Sequence, residues 1–150
     1  MDAIDREILA ALQEDGRLSL TDLAARVGLT LSPCHRRVRE LENAGVIEQY
    51  RAVVSPAAVG LDFEAIVFVT IDRTDPETVG AFEEGVLAIP NIVQAERLFG
   101  DPDYMLRVLT ADLTGYQQLF DGPLGALPGV RKLSSTLVMK QVTGRRALPT

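Results

Sequence analysis

At 150 residues, with 47% hydrophobic and 24% charged side chains, the chain can form one medium domain or two small ones, and either can bury a usable core. One cysteine and one histidine exclude an internal disulfide, a Cys-based metal cluster and most histidine-rich metal or catalytic constellations. No apolar run approaches the roughly 20 residues of a membrane span, and the opening MDAIDREIL is acidic where a secretory leader is basic, so the expected location is cytoplasmic. The formal charge of −6 argues against heavy non-specific coating of nucleic acid.

Ile4, Ile8, Leu9 and Leu12 recur at helical spacing, and Gly16 is placed to end that helix. Ser19 precedes a second apolar face made of Leu20, Leu23, Ala24 and Val27, and Ser19 with Asp22 has capping-box spacing. Gly28 falls just past that helix, where a left-handed backbone is needed. The chain restarts within about three residues, as in two helices joined by a tight glycine turn. Ser32 is expected as the N-cap of a third helix, with Pro33 at its first position, where a missing N–H costs nothing.

Projected at about 100° per residue, Cys34, Val38 and Leu41 share one side of this third helix. Ser32, Arg36, Arg39 and Asn43 lie opposite, with His35 flanking, and Arg37 falls nearer the buried edge, placed to pair with an acid or a phosphate. Gly45 closes the helix, and the following VIEQYR (46–51) reads as a strand or small wing.

The pattern is that of a helix-turn-helix, which lays its second helix in the DNA major groove. The first fifty residues hold six Arg, no Lys and nine acids, yet from Thr30 to Arg39 there are three Arg, one His and no acid. A local basic patch on an acidic body is therefore expected. The predicted DNA-contacting residues are Ser32, His35, Arg36, Arg37 and Arg39. Arginine bonds bidentately to guanine O6/N7 or to phosphate, and Ser32 with the helix N-terminus suits a backbone phosphate. The competing interpretation is a solvated helix face with Glu40 and Glu42 as intrahelical partners. Cys34 reads as a small core residue rather than a reactive thiol.

Residues 4–60 closely resemble the N-terminal domain of the Lrp/AsnC, or feast/famine, transcriptional regulators. The resemblance rests on Asp5-Arg6, Asp15-Gly16-Arg17, Val27-Gly28-Leu29, Ser32-Pro33-Cys34, Arg37-Val38, Leu41-Glu42 and Gly45-Val46-Ile47 in combination.

Ser55 to Gly60 (SPAAVG) interrupts the periodicity as a linker. From Glu64 to Arg73 the chain is β-rich with both alternating faces apolar, which predicts a strand buried on two sides. Asp75-Pro76-Glu77 starts a helix bearing Val79, Phe82 and Val86 and ending before Pro90. Asn91–Phe99 and Tyr104–Thr110 read as strands around the turn Gly100-Asp101-Pro102-Asp103. Asp112 caps a further helix with Leu113, Tyr116, Phe120 and Leu124, stopped by Pro128-Gly129, and Val130–Val142 supplies a last strand. The order βαββαβ predicts a ferredoxin-like sheet. Two helices cover only one face of such a sheet, so sheet-to-sheet dimerisation is expected to cover the other.

This half resembles the family's C-terminal domain through Gly100-Asp101, the run Asp103 to Val108, Leu127 to Val130, and the strand around Thr136 to Lys140. The whole chain is then expected to be α+β: a winged helix-turn-helix domain over 1–54, a linker over 55–63, and a ferredoxin-like, RAM-type domain over 64–150. The resemblance implies a regulator of amino-acid metabolism that binds double-stranded DNA and a small effector, commonly an amino acid. It also implies a homodimer assembling further, often to an octamer, with no cofactor, metal or membrane partner. Gly100, Asp101, Asp103 and Tyr104 would belong to the effector loop, with Ser135 and Thr136 on the last strand as further candidates. From residue types alone, Gly-Asp-Pro-Asp reads as an ordinary Asp-rich hairpin turn. Two alternatives remain at this level: an architectural DNA-organising protein with little ligand control, and an enzyme resembling the sirohaem decarboxylases. The second relies on histidines that this chain lacks beyond His35.

Overall fold

The computed structural model describes residues 1–144 and 146–150. The chain divides into two compact units, Met1–Val53 together with Val142–Thr150, and Val54–Gln141.

The first unit holds α1 (Ala3–Glu14), α2 (Leu20–Arg26) and α3 (Leu31–Asn43). Asp2 and Asp5 cap α1 reciprocally: each carboxylate accepts the other's backbone N–H at 2.9 Å, which satisfies two donors that the helix cannot. At α2 the Ser19 Oγ accepts the Asp22 N–H at 3.1 Å and donates to Asp22 Oδ2 at 2.6 Å. Asp22, one methylene shorter than a glutamate, accepts a hydrogen bond from the Ser19 hydroxyl in place of the Ser19 backbone N–H. Gly28 follows at φ 68°, a conformation that costs a residue with a Cβ but not glycine.

α3 starts earlier than its sequence suggests. Thr30 is the N-cap, without a side-chain cap bond, so Ser32 lies inside the first turn and Pro33 is the third helical residue. None of the first N–H groups of a helix has an intrahelical acceptor, so proline is tolerated there as well as at the first position. Ile8, Leu9, Leu23, Ala24, Val27, Cys34, Val38 and Leu41 form the core of the unit, with Leu12, Leu20 and Ile47 packed against it. The segment 46–51 forms no strand in this structure. Instead the Val46 and Ile47 N–H groups both bond to the Leu41 carbonyl, at 2.9 and 3.2 Å, and the chain leaves α3 by a tight turn.

The second unit holds β1 (Phe63–Ile71), α4 (Pro76–Leu87), β2 (Ile92–Arg97), β3 (Tyr104–Thr110), α5 (Leu113–Leu119) and β4 (Val130–Leu137). A short 3-10 turn, Ala57–Val59, precedes them. The strand order is β2-β3-β1-β4 with every neighbouring pair antiparallel, the split-βαβ arrangement that βαββαβ predicts. Asp75 starts α4 by accepting the Thr78 N–H at 3.0 Å and the Thr78 hydroxyl at 2.9 Å, with Pro76 at the first helical position. Ala65, Val67, Val69 and Ile71 of β1 face the helices and share one core with Phe82, Leu106, Val108, Tyr116 and Leu124.

Three expectations need correction here. The helix after Asp112 is not continuous: beyond Leu119 the chain widens into a five-residue π turn. Gly122 is non-helical there and is followed by Pro123, which has no N–H to continue the ladder. The last strand ends at Leu137 rather than Val142. Leu137 pairs with Ala65 and the Val138 N–H still reaches the Glu64 carbonyl, but β1 begins at Phe63 and offers little further backbone to pair with. Finally, β1 is buried on one face only. Ile66, Phe68 and Thr70, beside Met105 and Arg107 of β3, remain half-buried, and a Glu64–Arg107 ion pair spans that face.

Candidate nucleic-acid interface and effector region

The outward residues of α3 are Ser32, His35, Arg36 and Arg39, all exposed, while Cys34, Val38 and Leu41 anchor the opposite side in the core. With no side-chain cap at Thr30, the first N–H groups of α3 stay open beside the Ser32 hydroxyl, an arrangement suited to a phosphate oxygen. Arg36 Nε lies 3.8 Å from Glu40 Oε1, with both side chains strongly exposed. At that distance and exposure the pair holds Arg36 weakly and yields readily to a stronger anion. Arg39 makes no ion pair among the described residues. Burial pushes the Cys34 thiol above its ordinary value, which disfavours thiolate chemistry.

Arg37, placed by its spacing near the buried edge to pair with an acid or a phosphate, pairs with two acids. Its Nη1 donates to Asp2 Oδ2 at 2.8 Å and to Asp5 Oδ1 at 2.7 Å, and its side chain is only 24% exposed. The two residues that cap α1 are therefore also the acids that hold Arg37, so this guanidinium ties α3 to the start of α1 through Nη1. The Asp2–Asp5 spacing just before the first apolar run was the signal for this site. A second partnership also escaped the periodicity: the Tyr50 hydroxyl donates to Glu42 Oε1 at 3.1 Å.

The six expected effector residues do not converge within one chain. Gly100 and Asp101 are exposed on the turn between β2 and β3. Asp103 is structural: its Oδ2 accepts the Ile71 N–H at 2.8 Å, and its own N–H bonds to the Val69 carbonyl at 2.9 Å. Tyr104 is a core residue, 3% exposed, with its ring 4.6 Å from Phe82 and its hydroxyl donating to Glu83 Oε1 at 2.8 Å. Desolvation, followed by that hydrogen bond, pushes the Tyr104 hydroxyl up to about 12. Ser135 pairs opposite Val67 on the helix-facing side and shares a 2.5 Å hydrogen bond with the Tyr116 hydroxyl. Thr136 pairs opposite Ile66, and alternation along the strand sends it to the open side. Gly100, Asp101, Ser135 and Thr136 are exposed, with the Ser135 hydroxyl bonded to Tyr116, while Asp103 and Tyr104 are engaged within the chain. A separate cleft of about 340 Å³ beside α5, lined in part by Asn91, Thr110, Gly115 and Gln118, carried no sequence signal.

Comparison with known proteins agrees with this architecture. A winged helix-turn-helix DNA-binding family matches residues 1–48, and the Lrp/AsnC ligand binding domain matches residues 64–148. The chain is 38% identical over 149 residues to a Bkd operon transcriptional regulator of Pseudomonas aeruginosa, covering 99% of this chain and 97% of that protein. It is 37% identical over 142 residues to the leucine-responsive regulatory protein of Escherichia coli, covering 95% and 87%. A transcriptional regulator from Neisseria meningitidis, solved in complex with L-Met, superposes with a TM-score of 0.94 at 34% identity over 99% of this chain and 96% of that one. An AsnC family regulator from Agrobacterium tumefaciens gives 0.93 at 35% identity, covering 99% and 97%.

A helix-turn-helix unit followed by a four-stranded ligand-binding unit defines a transcriptional regulator that couples DNA binding to a small molecule. The chain belongs to the Lrp/AsnC family of transcriptional regulators.

Proposed function

We propose that this chain is a cytoplasmic, sequence-specific regulator of genes for amino-acid metabolism, with an amino acid as its effector. The carrying observation is the exposed set Ser32, His35, Arg36 and Arg39 on α3, directly after the Gly28 turn. Arg36 and Arg39 read base edges or grip phosphates, while Ser32 and the open end of α3 fix the helix on the backbone. The complex of the Neisseria relative with L-Met supports an amino-acid effector. The exposed Gly100–Asp101 turn suits one chemically: turn amides meet a carboxylate, and the Asp101 carboxylate meets an ammonium. Since these groups do not enclose a ligand within one chain, the site is completed between copies.

The half-buried sheet face around Ile66, Phe68 and Met105 is the surface that a second copy covers, with higher assemblies built from such dimers. No helix among the described residues is long and apolar enough to cross a membrane. We assign the chain no catalytic step; its only histidine, His35, lies on α3.

The test is fluorescence anisotropy on duplex selected by the protein from a random pool, compared with scrambled duplex across a salt series, with and without each common amino acid. Selective binding that shifts with at least one amino acid is expected. Equal affinity for selected and scrambled duplex at every salt concentration would refute sequence-specific regulation. Light scattering on the same samples is expected to show at least a dimer, and a monomer at micromolar concentration would remove the assembly reading.

A further inference from the structure

Arg39 is the one outward arginine of α3 without an ion pair among the described residues, and its helix neighbours make that state unexpected. Side chains three and four positions apart on a helix face each other. For Arg39 those positions are His35, Arg36, Glu42 and Asn43, so Glu42 is the sole acid among them. A Glu42 carboxylate turned toward Arg39 would neutralise it and set a negative charge beside the phosphates.

The structure shows Glu42 engaged elsewhere. The Tyr50 hydroxyl donates to Glu42 Oε1 at 3.1 Å. Burial, then the carboxylate itself, pushes that hydroxyl above its ordinary value, so it stays protonated and remains the donor. The tyrosine ring is seated over the turn after α1: a Cβ built on Gly16 would lie 3.7 Å from Tyr50 Cδ1, an ordinary van der Waals contact. Leu12, Gly16, His35, Arg39, Glu42 and Tyr50 all line one cleft of about 250 Å³. The post-α3 segment that forms no wing strand therefore delivers one hydroxyl to one acid at the edge of the DNA-facing surface.

We infer that Tyr50 is a positioning residue for DNA binding: its hydroxyl holds the Glu42 carboxylate off Arg39 and leaves the Arg39 guanidinium for the nucleic acid. This rests on the assignment of Arg39 to the DNA-facing set.

The experiment compares wild type, Arg39→Ala, Tyr50→Phe, Glu42→Gln and Tyr50→Phe/Glu42→Gln on the wild-type-selected duplex across a salt series, with thermal melting of each variant. Tyr50→Phe keeps the ring and removes only the donor. It is expected to weaken binding about twofold, the scale of one helix ion pair formed in competition, and to flatten the salt dependence. Adding Glu42→Gln to Tyr50→Phe is expected to restore both, since a neutral amide no longer competes for Arg39. If Arg39→Ala weakens binding while Tyr50→Phe does not, the positioning role is overturned and the DNA-facing assignment stands. A double variant as weak as Tyr50→Phe also overturns it, because the tyrosine would then act through structure alone. If Arg39→Ala binds as wild type does, the Arg39 assignment falls, and this inference with it.

Discussion

Arg37 Nη1 lies 2.7 Å from Asp5 Oδ1 and 2.8 Å from Asp2 Oδ2, so one guanidinium on α3 closes the capping box of α1. The Asp5 N–H, followed by the Arg37 side chain, holds the Asp2 carboxyl below its ordinary 3.8. A carboxyl whose folded pKa is lowered contributes stability that is complete above its unfolded pKa and lost as the pH falls through the folded value. Acid titration of the helical unit is expected to show that loss below pH 3.8. Asp2→Asn, which keeps a good cap but not the charge, is expected to flatten it. Arg37→Ala is expected to lower the melting temperature while leaving the salt dependence of DNA binding as in wild type. A reduced salt slope would instead make Arg37 a phosphate contact.

At the other end of the pH range Tyr104 contributes. With its hydroxyl pushed up to about 12, the folded protein favours the neutral phenol. The stability it supplies is therefore full below the ordinary tyrosine value of 10.0 and is lost between there and about 12. Ultraviolet titration is expected to show Tyr104 ionising well above the ordinary tyrosine value, with Tyr50 also shifted upward. Tyr104→Phe is expected to remove that step and to cost about 1 kcal/mol at neutral pH, the net worth of one buried hydrogen bond.

Asp101 and Asp103 flank one proline and are expected to behave oppositely. Asp103 accepts the Ile71 N–H at 2.8 Å, so Asp103→Ala leaves a backbone donor unpaired and is expected to cost about 1–3 kcal/mol in denaturant melts. Asp101 is exposed, and Asp101→Ala is expected to leave the melt unchanged while blunting the response of DNA binding to amino acid. An unchanged response would remove Asp101 from the effector site.

Gly129 admits no side chain. Its φ is 69°, and a Cβ there would lie 2.5 Å from Thr78 Cγ2. Gly129→Ala is expected to destabilise the sheet unit by about 1–3 kcal/mol, from overpacking together with a strained backbone. Adding Thr78→Ser, which deletes the clashing methyl, is expected to recover part of that loss. Full recovery would show that the backbone conformation costs nothing.

Much of the fold is legible in local pattern because each signal is local. The apolar period of Ile8, Leu23, Ala24, Val38 and Leu41 named the helical core, and Gly28 named its turn. The βαββαβ order implied the strand arrangement, since a split βαβ sheet has few other ways to pair. The outward face of α3 follows from 100° per residue alone. Where periodicity was silent, the structure depended on contacts between distant residues. Arg37 differs from Arg36 and Arg39 not in type but in the two aspartates that folding brings to it from the start of the chain. Tyr104 and Asp103 look like loop residues of a ligand turn until Glu83 and the Ile71 amide meet them. Nor does β4 contain a stop signal at Leu137; it ends where β1 runs out of partner backbone. Local pattern fixes the elements, their faces and the residue types available for DNA. Which polar groups are already satisfied from within the chain, and so which ones are left for DNA and effector, depends on the folded arrangement. The reason is that a hydrogen bond or ion pair is a property of two positions, and spacing along the chain reports only the near ones.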